Sequence, residues 1–89
     1  MSEENTQKQV VIYSTSTCPY CDAAKNFFNQ NGVAYVDYNV GEDHEKAREM
    51  VEISGQMGVP VIIISDEDAS NEEIIVGFDE ARIRQILGM

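Results

Sequence analysis

Two cysteines, Cys18 and Cys21, flank Pro19 and Tyr20 in the stretch TSTCPYC, and the chain has no others. Thiols three residues apart can form half of a metal site, close a small structural clip, or cycle between dithiol and disulfide. A zinc site takes four ligands as a rule. The only further soft ligand is His44, far along the chain and read as a surface helix residue. A disulfide closing four residues contributes only about 2 kcal/mol in the chain-entropy model. The redox dithiol is the main reading. A [2Fe–2S] cluster held between two chains, with Cys18 as ligand, stands as the alternative.

The residues around the pair say why this spacing suits redox work. Pro19 fits the first position of a helix, where its missing N–H costs nothing. It also keeps the residue before it out of helical conformation. Cys18 is therefore expected as the N-cap, with its sulfur facing the unpaired N–H groups of Tyr20 and Cys21. Those donors and the positive end of the helix dipole favour thiolate. A free cysteine with a pKa near 8.5 is only about 3% ionised at pH 7. A helix N-terminus in a Cys-X-X-Cys motif commonly lowers that pKa to about 3.5–7.5. Cys21, inside the first turn on the same face, is expected to be more enclosed and to keep its proton longer. Cys18 is thus the attacking sulfur and Cys21 the resolving one.

The elements that must position this pair follow from periodicity. Residues 10–13 form a β-branched and aromatic run, suited to a strand buried on both faces. A helix from Pro19 has Ala23, Ala24, Phe27 and Phe28 as its apolar stripe and ends at Asn31-Gly32. Residues 33–40 read as an edge strand, completing a βαβ unit. A second helix spans 43–54, with Ala47, Met50 and Val51 as its apolar face. Glu42–Lys46 and Glu45–Arg48 are expected ion pairs along it. Residues 61–64 form a second central strand, 65–71 a polar loop and 73–76 a strand, together an antiparallel hairpin. Asp79 is expected to cap a last helix with Ile83, Ile86 and Leu87 inward. The order β-α-β-α-β-β-α with a four-stranded mixed sheet is the α/β, thioredoxin-like three-layer α/β/α sandwich. Residues 1–9 read as a disordered polar tail and 10–89 as one domain.

Composition bounds the function. With 89 residues, the chain can bury roughly two-thirds of its unfolded surface, enough for one modest core. Apolar content of 43% and charged content of 25% are ordinary for a globular protein. Six Lys and Arg face sixteen Asp and Glu, giving a net charge of −10. Counterion release cannot drive nucleic-acid binding on such a surface, and anionic membranes repel it. The acidic run 66–73 reads as a solvated loop guarding an edge strand. The first residues show no apolar leader segment, and no stretch approaches the eighteen or so apolar residues of a membrane span. A cytoplasmic location is expected, where thiols are kept reduced.

Cys-Pro-Tyr-Cys after VVIYST, with Gly-Val-Pro at 58–60 and Gly-Phe-Asp at 77–79, resembles the glutaredoxins over about residues 10–88. The resemblance implies a monomeric thiol–disulfide oxidoreductase without a permanently bound cofactor, using glutathione as co-substrate. It implies a cis Pro60 opposite Cys18 and main-chain pairing of substrate with Val59. It gives Gly77 a close approach to the substrate backbone. It also implies contacts from Thr15, Tyr20, Gln56 and Phe78, and a place for the glutathione amino group at Asp79 and Glu80. Four departures stand out. Thr15 replaces a basic residue, Gly58 stands where a Thr is common, Val76 precedes Gly77 where glycine is frequent, and Phe78 fills a position often small. The only cation expected near the site is Lys25. Electrostatic steering opposes anionic glutathione here. The Gly-Phe pair is similar to that of redoxins reduced by thioredoxin reductase. The expected partners are therefore glutathione or thioredoxin reductase as reductant, and disulfide-containing proteins, ribonucleotide reductase among them, as substrates.

Overall fold

The structure, a computed structural model, describes residues 8–66 and 71–88. Its elements are β1 (Lys8–Ser14), α1 (Pro19–Gln30), β2 (Val36–Asn39), α2 (His44–Ser54), β3 (Val61–Asp66), β4 (Glu73–Val76) and α3 (Glu80–Leu87). They form a four-stranded sheet in the order β2-β1-β3-β4. β1 pairs parallel to β2 and antiparallel to β3, and β3 pairs antiparallel to β4. This is the thioredoxin-like arrangement expected from the element order. The polar tail read at 1–9 lies outside the described residues as far as residue 7, and the 67–70 part of the 65–71 loop does likewise.

The sheet has helices on both faces. Val10 and Ile12 of β1 and Ile62 and Ile64 of β3 pack with Ala24, Phe27 and Phe28 of α1 and Ile83 of α3. Tyr13, Val61 and Ile63, on alternate positions, pack with Met50 of α2. Both central strands are thus apolar on every position that matters, which is why their sequences show runs rather than alternation. Phe27, Phe28, Tyr35 and Phe78 form a chain of ring contacts with centroids 5.5–5.9 Å apart. These tilted and edge-on arrangements are the favourable ones for aromatic pairs.

Four local features depart from the sequence expectation, each for a visible reason. β2 is shorter than the expected 33–40. The Gly32 N–H donates to the Asn29 carbonyl (3.3 Å) and the Val33 N–H to the Phe28 carbonyl (2.9 Å). That pattern closes α1 through a left-handed Gly32, so Val33 finishes the helix instead of starting a strand. β1 and β3 are each extended at one end, since Gln9 pairs with Ser65 and Lys8 with Asp66 in register. Asp43 is the N-cap of α2, accepting from the Lys46 N–H at 3.1 Å. Glu42 therefore lies outside the helix. The Lys46 ammonium instead meets Glu49 at 3.2 Å and sits over the Tyr38 ring, 4.2 Å from its centroid. No described helix is long and apolar enough to cross a membrane.

Phe28 is wholly buried at the centre of the α1–α3 side. Phe28→Ala should cost about 3–5 kcal/mol of stability by removing buried area and leaving a cavity, which urea unfolding would measure. At the far end of the sheet, the Lys8 ammonium lies 2.7 Å from Asp66. Its hydrogen bond, followed by that of Asn71, holds the Asp66 carboxyl below its ordinary value. A carboxyl with a lowered folded pKa adds stability above its unfolded value and loses it as pH falls through the folded one. Lys8→Met should move the Asp66 midpoint upward in a carboxyl NMR titration.

Candidate active site

Residues 15–17 turn the chain from the end of β1 into α1. Cys18 takes an extended conformation (φ −106°, ψ 107°) as the N-cap, and Pro19 opens the helix. The Cys18 carbonyl accepts the first helical bond from the Asp22 N–H at 3.1 Å. Its Sγ accepts from the Cys21 N–H, also at 3.1 Å. Of the two amides expected to face the sulfur, it is that of Cys21 that reaches it. The Cα atoms of Cys18 and Cys21 are 5.2 Å apart and the two sulfurs are joined as a disulfide, the oxidised form of the pair. Cys21 is 0% exposed and Cys18 9% exposed. An incoming sulfur can therefore meet Cys18 and not Cys21.

Beside the pair lies a cleft of about 310 Å³ lined by Tyr20, Pro60, Val76, Gly77, Phe78 and Asp79. The loop after α2 and the turn after β4 come together there through a hydrogen bond from the Gly77 N–H to the Pro60 carbonyl (2.8 Å). The Val59–Pro60 bond is cis, and Gly77 has φ 86°. That positive φ suits glycine and strains any other residue. Val59 itself does not line the cleft. It is half-buried, and its N–H and C=O find no partner among the described residues. They stand just before the ladder that β3 begins at Val61. Tyr20 projects from the rim and is 68% exposed. Asp79 caps α3 by accepting from the Arg82 N–H at 3.2 Å.

Two further residues that the sequence offered for substrate contact are not among those lining the cleft. Thr15 lies against the turn after β2, with its methyl near Gly41. Gln56 folds back on its own loop, donating to the Gly58 carbonyl (3.0 Å) and accepting from the Gly58 N–H (2.9 Å). Lys25 is engaged as well. Its ammonium lies 3.0 Å from Asp37 Oδ2, while the buried Ser14 hydroxyl donates to Oδ1 of the same carboxylate at 2.6 Å. This bridge ties α1 to β2 and to the end of β1. Sequence reasoning missed it because it depends on the parallel register, which sets Ser14 beside Asn39 and Ile12 beside Asp37. Val76, which lines the cleft, carried a detectable signal only as the residue before Gly77. Among the described residues no group of three or more His, Cys, Asp and Glu is placed to hold a metal ion.

Comparison with known proteins places these features in context. The glutaredoxin family model matches residues 10–69. An uncharacterised glutaredoxin-like 8.6 kDa protein in the rubredoxin operon of Clostridium pasteurianum is 40% identical over 78 residues, covering 88% of this chain and 96% of that one. Glutaredoxin 3 of Escherichia coli is 38% identical over 55 residues, 62% of this chain and 66% of its own length. Among solved structures, methanoredoxin of Methanosarcina acetivorans superposes with a TM-score of 0.78 at 25% identity, covering 93% of this chain and 87% of its own.

Once the disulfide is reduced, the Cys21 amide faces a free sulfur. Alkylation of Cys18, followed against pH, should then have its midpoint well below the value of about 8.5 for a loose peptide thiol. An unshifted midpoint would remove the proposed activation.

Proposed function

This chain belongs to the glutaredoxin family, and we propose that it reduces protein disulfides and glutathione mixed disulfides through a Cys18/Cys21 dithiol. The observation that carries this reading is the difference in access between two sulfurs that share one helix terminus. The Cys18 thiolate attacks one sulfur of a substrate disulfide. The substrate S–S bond breaks, a mixed disulfide forms, and the displaced sulfur leaves as a thiolate and takes a proton. Cys21 then gives up its proton and attacks the Cys18 sulfur. The second substrate sulfur leaves as a thiol, and the pair is left in the oxidised form seen in the structure. Two electrons must return to close the cycle. Two glutathione molecules supply them by becoming glutathione disulfide, or thioredoxin reductase does so.

The unpaired N–H and C=O of Val59 support main-chain pairing with substrate, a small β-augmentation. The engaged amide of Gln56 fits a role in holding the loop that presents Val59. The Tyr20 ring suits contact with a side chain next to the substrate disulfide. Asp79 Oδ1 serves the helix cap, which leaves Oδ2 to meet an ammonium group. The reading places the protein in the reducing cytoplasm. Among the described residues the cleft lining carries no cation, and Lys25 is committed to Asp37, which favours the reductase as a second electron source.

Cys18→Ser should abolish disulfide reduction. Cys21→Ser should abolish dithiol turnover while sparing reduction of glutathione mixed disulfides. NADPH consumption, coupled in parallel to glutathione with its reductase and to thioredoxin reductase, reads both variants and identifies the electron source. Full activity of Cys18→Ser would sink the reading.

A further inference from the structure

The cleft is apolar except for one wall, and that wall is negative. Asp79 is the only charged residue among the described ones that line it. Asp22, exposed in the first turn of α1 and next to Cys21 in the chain, adds a second carboxylate to the helix start that carries the dithiol. The cations within reach along the chain are already spent on carboxylates. Lys25 is held by Asp37 at 3.0 Å. Arg82 turns away to Glu73 of β4 at 2.7 Å. Arg84 meets Glu80 at 2.9 Å and stacks over the Phe27 ring, 5.0 Å from its centroid. The α3 dipole offsets part of the Asp79 charge, and the α1 dipole part of that on Asp22. Behind the site stands a chain with a net charge of −10. Like charges oppose an anionic visitor and draw in a cationic one, most strongly where the cleft walls are apolar.

The exposed aromatic at the rim points the same way. The Tyr20 face is open to solvent on the edge of the cleft. A lysine or arginine over such a ring gains about 0.5–1 kcal/mol. We propose that the site selects protein disulfides flanked by lysine or arginine, with the basic side chains directed at Asp79 and the Tyr20 ring and drawn in by the charge of the surrounding chain. This rests on the dithiol reading above and specifies its substrate. An extended basic segment would pair with Val59 through its main chain and place its disulfide at Cys18, while the charged side chains sort partners before contact.

Three synthetic peptides test this. Each carries the same intramolecular disulfide between two cysteines, flanked by three lysines, three serines or three glutamates. Pre-reduced protein is mixed with each oxidised peptide, and single-turnover rates are read by acid quench and mass spectrometry. At about 20 mM ionic strength, the lysine peptide should react about tenfold or more faster than the glutamate peptide, within the range that electrostatic steering spans. The serine peptide should fall between them. In about 0.5 M NaCl the gap should collapse as the Debye length shrinks to a few ångströms. Asp79→Asn, which retains a capping side chain, should narrow the low-salt ratio. Equal rates, a faster glutamate peptide, or a gap indifferent to salt would overturn the inference while leaving the dithiol chemistry intact. Failure to reduce even the serine peptide would overturn both.

Discussion

A single hydrogen bond organises the site: the Cys21 amide donating to the Cys18 sulfur at the start of α1. It can exist only if Cys18 is held outside the helix and Cys21 inside it. Pro19 enforces that division, and the rest of the fold keeps it in place. β1 delivers the chain to the helix start, and the Ser14–Asp37–Lys25 bridge joins the strand end, the helix and the neighbouring strand. The aromatic contacts of Phe27 and Phe28 fix the helix on the sheet. The sulfur's environment is thus a product of packing several residues away, not of the four-residue motif by itself.

The other half of the site comes from the opposite end of the chain. The loop before β3 and the turn after β4 meet because those strands are paired, Val61 beside Val76. The bond between Gly77 and Pro60 then joins the two loops into one wall. This leaves the Val59 backbone groups outside the ladder that β3 begins at Val61. The cleft is therefore a junction of three backbone segments, and its chemistry depends on which main-chain groups the sheet has used and which it has left over.

Much of this was legible in the sequence, and the reasons differ by residue. The central strands were plain because Val10, Ile12, Ile62 and Ile64 are buried on one face and Tyr13, Val61 and Ile63 on the other, so apolar runs were unavoidable. The caps at Cys18 and Asp79 were plain because capping is local, whereas Asp43, read as the first residue of its helix, turned out to cap it. Partner choice was not. Lys46 had acidic residues on both sides, and the start of α2 decided for Glu49. Lys25 was visible as a cation one turn from Cys21, but its capture by Asp37 required the register of β1 against β2. Gln56 was read by resemblance, yet its amide closes a local loop. Position along the chain predicts which groups exist near a site, and only the fold decides which of them are still available.

Asp79 holds two posts at once, closing the end of α3 and forming one wall of the cleft. The last helix contributes Ile83 to the main core. A lineage cannot freely exchange this residue to suit a new client, because most replacements would loosen the helix that helps hold the sheet. Drift in recognition is therefore channelled toward Tyr20 and Val76, the exposed neighbours whose side chains support nothing else.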